Sequence, residues 1–323
     1  MSNPIFIDAN FIEENTDFSE LVEELRIGFS SKNILTPPRH HHDFPNSKMG
    51  VDSTMLLMPA WQDGRDAGVK IVTVSPGNHQ LDLPSIQGSY LFLDAQTGQL
   101  KAIMEAKKLT SKRTAAASAL ASTYLSNEHT ASMLMIGTGA LSGELIKAHA
   151  AVRPLQKVYV WGRNFEKARK VCKALQKEKF ELQAVETIES IISEVDLVSA
   201  ATMSKKPLVK GAYLRAGQHI DLVGSYRPDM READNATIEA ATIFADVKEM
   251  ATKESGDLCV PLAEGILKKE DIQGDLFDLC NEQISGRTTP TDITLFKSVG
   301  HALEDLVAAS YYYKKYLTTN GLK

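Results

Sequence analysis

Cysteine is scarce in this sequence, and it contains no long apolar run. The 323 residues include only Cys172, Cys259 and Cys280, an odd number whose spacing matches neither a disulfide framework nor a zinc site. No apolar stretch approaches the roughly 18 residues of a membrane span, and the acidic N-terminus lacks the basic start and apolar core of a signal peptide. We therefore expect reduced thiols, a cytoplasmic location and no membrane partner.

The sequence also lacks a strong charge of either sign. The formal net charge is -5, and no long basic run marks a nucleic-acid partner. Hydrophobic residues make up 43% and charged residues 24%, which are ordinary values for globular proteins. A chain of this length suits two domains, and small molecules are the expected partners.

The pattern of apolar residues changes along the chain. An amphipathic helix is predicted over 18–29, and short apolar runs up to about residue 105 predict antiparallel strands. An Ala-rich helix over 112–125 follows. From residue 132 a strand, turn, helix rhythm predicts a parallel sheet with crossovers, with strands at 133–136, 157–161, 197–200, 219–223 and 243–247. A final helix from about 299 to 316 should return to the first domain.

The strongest motif is a glycine-rich loop after the first of these predicted strands. Its residues are Gly137, Thr138, Gly139, Ala140, Leu141 and Ser142, and a helix is predicted directly after them. Gly137 permits a tight turn, Gly139 lets the backbone approach a pyrophosphate, and free amides at the helix start favour the phosphates. The third glycine position holds the small residue Ser142. The context favours a dinucleotide-binding Rossmann domain over a purely structural turn.

The end of the second strand indicates which dinucleotide binds. An enzyme that uses NADH usually places Asp or Glu there, whereas this chain has Arg163 followed by Asn164. A guanidinium suits the 2'-phosphate of NADPH in charge and in bidentate geometry. The alternative is a solvated arginine, and we favour NADPH, with NADH as the less favoured cofactor.

The first predicted domain contains three cationic residues and a run of three histidines that are candidate ligand-binding residues. Arg39, Lys70 and Arg113 are each individually typical of surface charges, and spacing alone does not group them. The run His40 to His42 resembles a metal site, but three adjacent side chains cannot all face one ion on a regular element. We predict a polar loop or strand end there, and no metal.

Several separated segments together resemble the ornithine cyclodeaminase/mu-crystallin family along nearly the whole chain. The resemblance implies an α/β fold in which a doubly wound Rossmann domain (126–299) is inserted into an α+β substrate-binding and dimerisation domain (1–125 plus 300–323). It also implies a homodimer. The segments are 58–60, 68–72, 112–116, the glycine loop, 223–225, 227–228, 231–232 and 296–300.

The resemblance also implies roles for particular residues. Arg39, Lys70 and Arg113 would hold the carboxylate of an amino or imino acid beside the nicotinamide. The cofactor would further be contacted by Thr114, Ala201, Thr202, Val223, Gly224 and Ser298.

One position departs from the cyclodeaminase pattern. Ornithine cyclodeaminases carry an aspartate shortly after the Val-Gly pair, and here its place is taken by Tyr226. A phenol, with an ordinary pKa of about 10, is a poor general base at neutral pH. Asp229 lies three residues on, but it follows Pro228 in what resembles the mu-crystallin surface pattern, and we discount it.

The departure and Arg163 both favour the ketimine reductase branch of the family. We expect reduction of 1-pyrroline-2-carboxylate or 1-piperideine-2-carboxylate to L-proline or L-pipecolate. Lys70 would either donate a proton to the product nitrogen or make a third carboxylate contact, since clustered positive charge lowers a lysine pKa. The alternatives are an NAD-dependent ornithine cyclodeaminase or amino-acid dehydrogenase, and a non-catalytic NADPH-dependent binding protein.

Overall fold

The computed structural model describes residues 3–322, and the chain divides into two compact units. The first runs to Arg113 and resumes at His301, and the second is Thr114–Gly300. No helix of the described residues is long and apolar enough to cross a membrane. The strands are β1 (Ile5–Ile7), β2 (Ile34–Leu35), β3 (His40–Phe44), β4 (Ser53–Gln62), β5 (Asp66–Val74), β6 (Ile86–Asp94), β7 (Leu100–Glu105), β8 (Ser132–Ile136), β9 (Lys157–Trp161), β10 (Glu181–Val185), β11 (Leu197–Ala200), β12 (His219–Leu222), β13 (Thr242–Ala245), β14 (Ile272–Asp275) and β15 (Thr294–Lys297). The helices are α1 (Ala9–Glu14), α2 (Phe18–Ser30), α3 (Ala106–Leu125), α4 (Ser142–Val152), α5 (Phe165–Ala174), α6 (Asn235–Ala240), α7 (Lys248–Glu254), α8 (Gly256–Ala263), α9 (Leu276–Cys280) and α10 (Ala302–Thr319).

The first unit is built on a seven-stranded sheet. Its order is β1-β7-β6-β5-β4-β2, with β3 also paired to β4, and every pair is antiparallel except β1 with β7. Alternate residues such as Met58, Tyr90, Phe92 and Met104 are buried, as the period of two in a strand requires. Helix α10 packs on β4, β5 and α2. The predicted amphipathic helix is confirmed as α2, which Asp17 caps by accepting from two backbone amides.

The second unit is a parallel, doubly wound sheet, as predicted. Its order is β10-β9-β8-β11-β12-β15-β13-β14, and all its strand pairs are parallel. The strands predicted near residues 133, 157, 197, 219 and 243 are present as β8, β9, β11, β12 and β13. The strand order reverses between β8 and β11, and open α/β sheets bind ligands outside the carboxyl ends of the strands at such a point.

Two predicted helix boundaries are wrong. Helix α3 begins at Ala106 rather than 112, because the carboxylate of Glu105 accepts from the amides of Lys107 and Lys108 and caps an earlier start. Helix α10 begins at Ala302 rather than 299, because Gly300 adopts a positive φ of 83°. In the parallel sheet, strands β10 and β14 were not predicted from the sequence.

Candidate active site

The glycine-rich loop after β8 has the backbone geometry that its sequence predicts. Gly137 has a φ of 127°, and its amide donates to the carbonyl of Trp161 at 2.9 Å. A Cβ on Gly137 would lie 2.6 Å from the carbonyl oxygen of Ala201, so only glycine fits there. A Cβ on Gly139 would meet no atom within 4 Å. Gly139 therefore presents bare backbone to open space, as a loop that admits a pyrophosphate requires.

The start of helix α4 also suits a phosphate. The N-cap residue Leu141 makes no side-chain hydrogen bond to the first turn of α4. Its side chain therefore does not compete with an anion for the backbone amides there. Ser142, at the third glycine position, is fully buried, and its small side chain fits into the closely packed start of the helix. The loop and helix together offer backbone donors to an anion.

Alanine at the two glycines separates a binding loop from a structural turn. We expect Gly139→Ala to keep the wild-type Tm but to weaken dinucleotide binding at least about tenfold, because the methyl group fills space that the phosphates need. Gly137→Ala should lower the Tm as well, because its Cβ meets backbone. Thermal unfolding and cofactor titration of both variants check this. Unchanged affinity in Gly139→Ala would assign the loop to a structural turn.

A cleft of about 850 Å³ opens at the loop. It brings together seven of the residues predicted to bind the cofactor, from the carboxyl ends of three neighbouring strands. They are Gly137, Thr138, Gly139, Arg163, Asn164, Ala201 and Thr202.

The other predicted cofactor residues are not among the described residues that line this cleft. Thr114 is buried in helix α3, and Ala140 and Leu141 form the end of the glycine-rich loop that leads into helix α4. Val223 and Gly224 follow β12. Ser298 follows β15 in a turn whose amides at Val299 and Gly300 donate to the buried carboxylate of Asp246, at 2.7 and 2.5 Å.

One part of the cleft lining is strongly cationic. Arg163 and Lys167 line it from the β9 end and the first turn of α5, and Lys205 and Lys206 line it from the segment after β11. No carboxylate occurs among the described residues that line it. Asn164 caps α5 by accepting from the amide of Lys167 at 3.1 Å. The electrostatics therefore favour a ligand with more than one phosphate group.

The first unit contains a buried cluster of opposite charges. Lys70 Nζ on β5 lies 2.9 and 2.7 Å from the two carboxylate oxygens of Asp305 on α10. Arg113 on α3 donates to Asp305 at 3.0 Å through Nε and to Glu304 at 2.6 Å through Nη1. Lys70, Arg113, Glu304 and Asp305 are at most 4% exposed. We call these four residues with Arg39 the cation cluster.

Burial and the surrounding charges shift the pKa values of Lys70 and Asp305 in the cluster. Burial lowers the Lys70 pKa to about 8, against the opposing effect of Asp305, and the charges of Arg113 and Arg39 lower it further. Burial alone would raise the pKa of Asp305, but Arg113 and Lys70 outweigh it and hold that pKa below its usual range. Asp305 thus joins Lys70 and Arg113 directly, and the charge of Arg39 acts on Lys70.

The two acidic members of the cluster, Glu304 and Asp305, were not predicted from the sequence. Three cations and two carboxylates give the ionised cluster a net charge of +1, so Lys70 owes its lowered pKa first to burial and not, as expected, to excess positive charge. The available signal was an acidic pair, Glu304 and Asp305, between Leu303 and Leu306 in an apolar helix. A net charge of +1 matches one carboxylate of a small ligand.

The segment after β12 carries the position where cyclodeaminases have an aspartate. Tyr226 is 43% exposed, and its amide donates to the carbonyl of Gly224 at 3.1 Å. Asp229 forms ion pairs of 2.9 Å with both Arg227 and Lys205. Two cationic partners lower the pKa of Asp229 and weaken it as a base.

The histidine run begins strand β3, which favours the predicted strand end over the predicted loop. His40, His41 and His42 lie in β3 and pair with β4, so their side chains alternate between the two faces of the sheet. The described residues contain no group of three or more His, Cys, Asp or Glu side chains that could hold a metal ion.

Comparison with known proteins gives a consistent set of relatives. The pattern of the ornithine cyclodeaminase/mu-crystallin family matches residues 3–320. An uncharacterized protein of Schizosaccharomyces pombe is 41% identical over 319 residues, which is 96% of each chain. The Delta(1)-pyrroline-2-carboxylate reductase of Colwellia psychrerythraea is 35% identical over 309 residues, covering 94% of this chain and 96% of the relative. A structure of the Thermococcus litoralis Delta(1)-pyrroline-2-carboxylate reductase, in complex with NADH and L-proline, aligns over 98% of both chains with 30% identity and a TM-score of 0.89.

Proposed function

The chain belongs to the ornithine cyclodeaminase/mu-crystallin family, and we propose that it is an NADPH-dependent reductase of cyclic imino acids. As an oxidoreductase acting on a C=N group, it converts 1-pyrroline-2-carboxylate or 1-piperideine-2-carboxylate to L-proline or L-pipecolate. The observation that carries this proposal is the cation cluster, which holds three cations at a net charge of +1. The relatives named Delta(1)-pyrroline-2-carboxylate reductase support the substrate class.

The cation cluster binds the substrate carboxylate. Arg39 and Arg113 supply guanidinium groups, whose planar donors match a carboxylate in bidentate geometry. Asp305 and Glu304 already hold Arg113 in place before substrate arrives. A donor that is already oriented loses less conformational entropy on binding, so the cluster is preorganised for its ligand.

Lys70 supplies the proton that the product nitrogen needs. When bound, the reduced nicotinamide supplies a hydride for the imine carbon, so one proton must reach the nitrogen to complete the C–H and N–H bonds. A buried lysine with a pKa of about 8 is largely protonated at neutral pH and gives up its proton more readily than an ordinary lysine. Its ion pair with Asp305 fixes the ammonium group in position.

The cleft of the second unit binds NADPH in preference to NADH. Arg163 stands where an NADH enzyme usually has a carboxylate, and Lys167 and Lys206 line the same cleft. The Thermococcus litoralis relative was solved with NADH, so the preference for NADPH rests on these cations. Thr114, Ala140, Leu141, Val223, Gly224 and Ser298 complete the proposed cofactor contacts.

We further propose a cytoplasmic homodimer. The sheet face opposite Lys70 and Tyr90 carries a row of half-buried apolar side chains, among them Leu57, Ile71 and Leu91. A contiguous apolar face of this kind is typical of a subunit interface. Sedimentation should give a particle of twice the chain mass, and a monomer at micromolar concentration would contradict the proposal. The few cysteines, whose spacing matches no disulfide framework, support a reducing compartment.

The first test is NADPH oxidation, followed by absorbance, with both cyclic imino acids and with NADH in parallel. Rapid oxidation with NADPH supports the proposal. If neither imino acid supports NADPH oxidation, and ornithine with NAD releases ammonia, the proposal is overturned in favour of a cyclodeaminase. Tight NADPH binding without turnover on any of these substrates would instead favour a binding protein.

A further inference from the structure

A buried carboxylate holds the ends of two adjacent strands of the second unit. Glu232 is fully buried, and its Oε1 accepts from the amide and the hydroxyl of Thr202, at 2.7 and 2.8 Å. Its Oε2 accepts from the amides of Gly224 and Ser225, at 2.7 and 3.2 Å. Thr202 follows β11 and Gly224 follows β12, so one side chain joins both strand ends.

Two further buried charges extend this arrangement to a third strand. Asp257 in α8 accepts from the backbone amides of Glu232 and Ala233 at 2.7 and 3.0 Å through Oδ1. Its Oδ2 lies 3.3 Å from Nζ of Lys297, the last residue of β15. Glu232, Asp257 and Lys297 are all fully buried. We call these three residues the strand-end clamp.

The clamp needs an ionised carboxylate at position 232. Four donors point at this side chain, and only a carboxylate accepts from all of them without presenting a donor of its own. Burying that charge is costly, and the four hydrogen bonds with the nearby Lys297 ammonium offset the cost. The segments after β11 and β12 pack closely, because a Cβ on Gly224 would lie 2.0 Å from the carbonyl oxygen of Thr202.

The place of the clamp in the sheet suggests its role. Thr202 lines the cleft, and β11 and β12 lie beyond β8 on the side away from β9. In a Rossmann domain the ribose of the adenosine half meets the end of the second strand, here β9, so the nicotinamide half extends toward β11 and β12. Glu232 itself is buried and therefore acts through Thr202 and Gly224.

We propose that Glu232 is a positioning residue that shapes the nicotinamide half of the cofactor site, and that it does so only as a carboxylate. This inference rests on the proposed dinucleotide binding and requires no particular imino acid. It extends that function by making cofactor affinity depend on the protonation of one buried side chain. Protonated Glu232 loses an acceptor and brings an O–H group against backbone donors.

Burial and the charges around Glu232 bring the protonation of this side chain close to neutral pH. Burial raises the Glu232 pKa to about 7, Lys297 opposes the shift, Asp257 adds to it, and the hydrogen bonds from Thr202 oppose it. The ionised form therefore predominates above pH 7. Cofactor affinity should fall as the pH drops through about 7.

The test is a titration of NADPH binding by nucleotide fluorescence between pH 5.5 and 8.5, without imino acid. Glu232→Gln keeps the shape but replaces one acceptor oxygen by a donor, so it should bind at least about tenfold more weakly at pH 8 and lose the inflection near pH 7. Glu232→Asp retains the charge and should keep an inflection. Titration with NADH in parallel removes the contribution of the 2'-phosphate, which itself titrates at about pH 6.

Thr202→Val provides a second measurement that does not depend on the folding of Glu232→Gln. Loss of the hydroxyl removes one bond to the ionised form, so the inflection should move to higher pH, whatever the change in absolute affinity. An inflection that stays in place in Thr202→Val, or one that persists in Glu232→Gln, would overturn the proposal. A wild-type protein that binds neither NADPH nor NADH would instead refute the proposed function itself.

Discussion

Replacement of Lys70 by methionine is expected to lower kcat for imine reduction by about 10²- to 10⁴-fold, the usual contribution of a general acid. Methionine has a similar length and suits a site that is 3% exposed, so the change removes the ammonium group with little loss of packing. NADPH affinity should change little, because Lys70 is not among the described residues that line the cofactor cleft. Steady-state kinetics and cofactor titration measure the two effects separately.

The pH profile identifies the role of Lys70 independently. Burial and neighbouring positive charge lower its pKa to about 8. Only the protonated lysine can donate, so wild-type kcat should be retained below pH 8 and should fall as the pH rises through it. The Lys70→Met variant should lack this fall, because it has no ammonium group to titrate.

A matched control is Lys101→Met, in strand β7 of the same sheet, which β6 separates from the strand of Lys70. Lys101 pairs with Asp66 and Asp94 and is not part of the cation cluster. The Lys101→Met variant should retain wild-type kcat. A Lys70→Met variant with a raised KM but an unchanged kcat would make Lys70 a carboxylate contact and eliminate it as the proton donor.

Arg163→Ala is expected to lower kcat/KM for NADPH by about 10- to 100-fold, the loss of charge-assisted hydrogen bonds to a phosphate. The value for NADH should change little, because NADH lacks the 2'-phosphate. The ratio of the two kcat/KM values, measured at constant ionic strength, therefore reports the interaction directly. Some preference for NADPH should remain, since Lys167 and Lys206 line the same cleft.

Arg169→Ala is the matched control for Arg163. It removes the same charge from helix α5, where Arg169 pairs with Glu166 at an exposed site and is not among the residues that line the cleft. It should leave the cofactor ratio unchanged. Equal losses for NADPH and NADH in Arg163→Ala would show that Arg163 supports the cleft without recognising the phosphate.

The glycine loop and the parallel strands were predictable because their signals are local. Gly137, the apolar run before it and the helix after it are contiguous, so turn chemistry and hydrophobic periodicity suffice to recognise them. The predicted starts of α3 and α10 were wrong because a side-chain cap decided the first and the backbone turn at Gly300 decided the second. Glu105 lies seven positions before the predicted start of α3, and the turn at Gly300 rests on Asp246, more than fifty residues away.

The sequence by itself determined the fold class, the inserted parallel sheet and the glycine-rich loop, since these follow from short-range periodicity and backbone preference. Resemblance to the family grouped Arg39, Lys70 and Arg113, which spacing alone did not. Only the tertiary structure decided their counter-charges, because Lys70 meets Asp305 across 235 positions of sequence. The same holds for Glu232, whose partners come from two strand ends. Burial makes such long-range ion pairs strong and shifts their pKa values, and burial is a property of the packed chain.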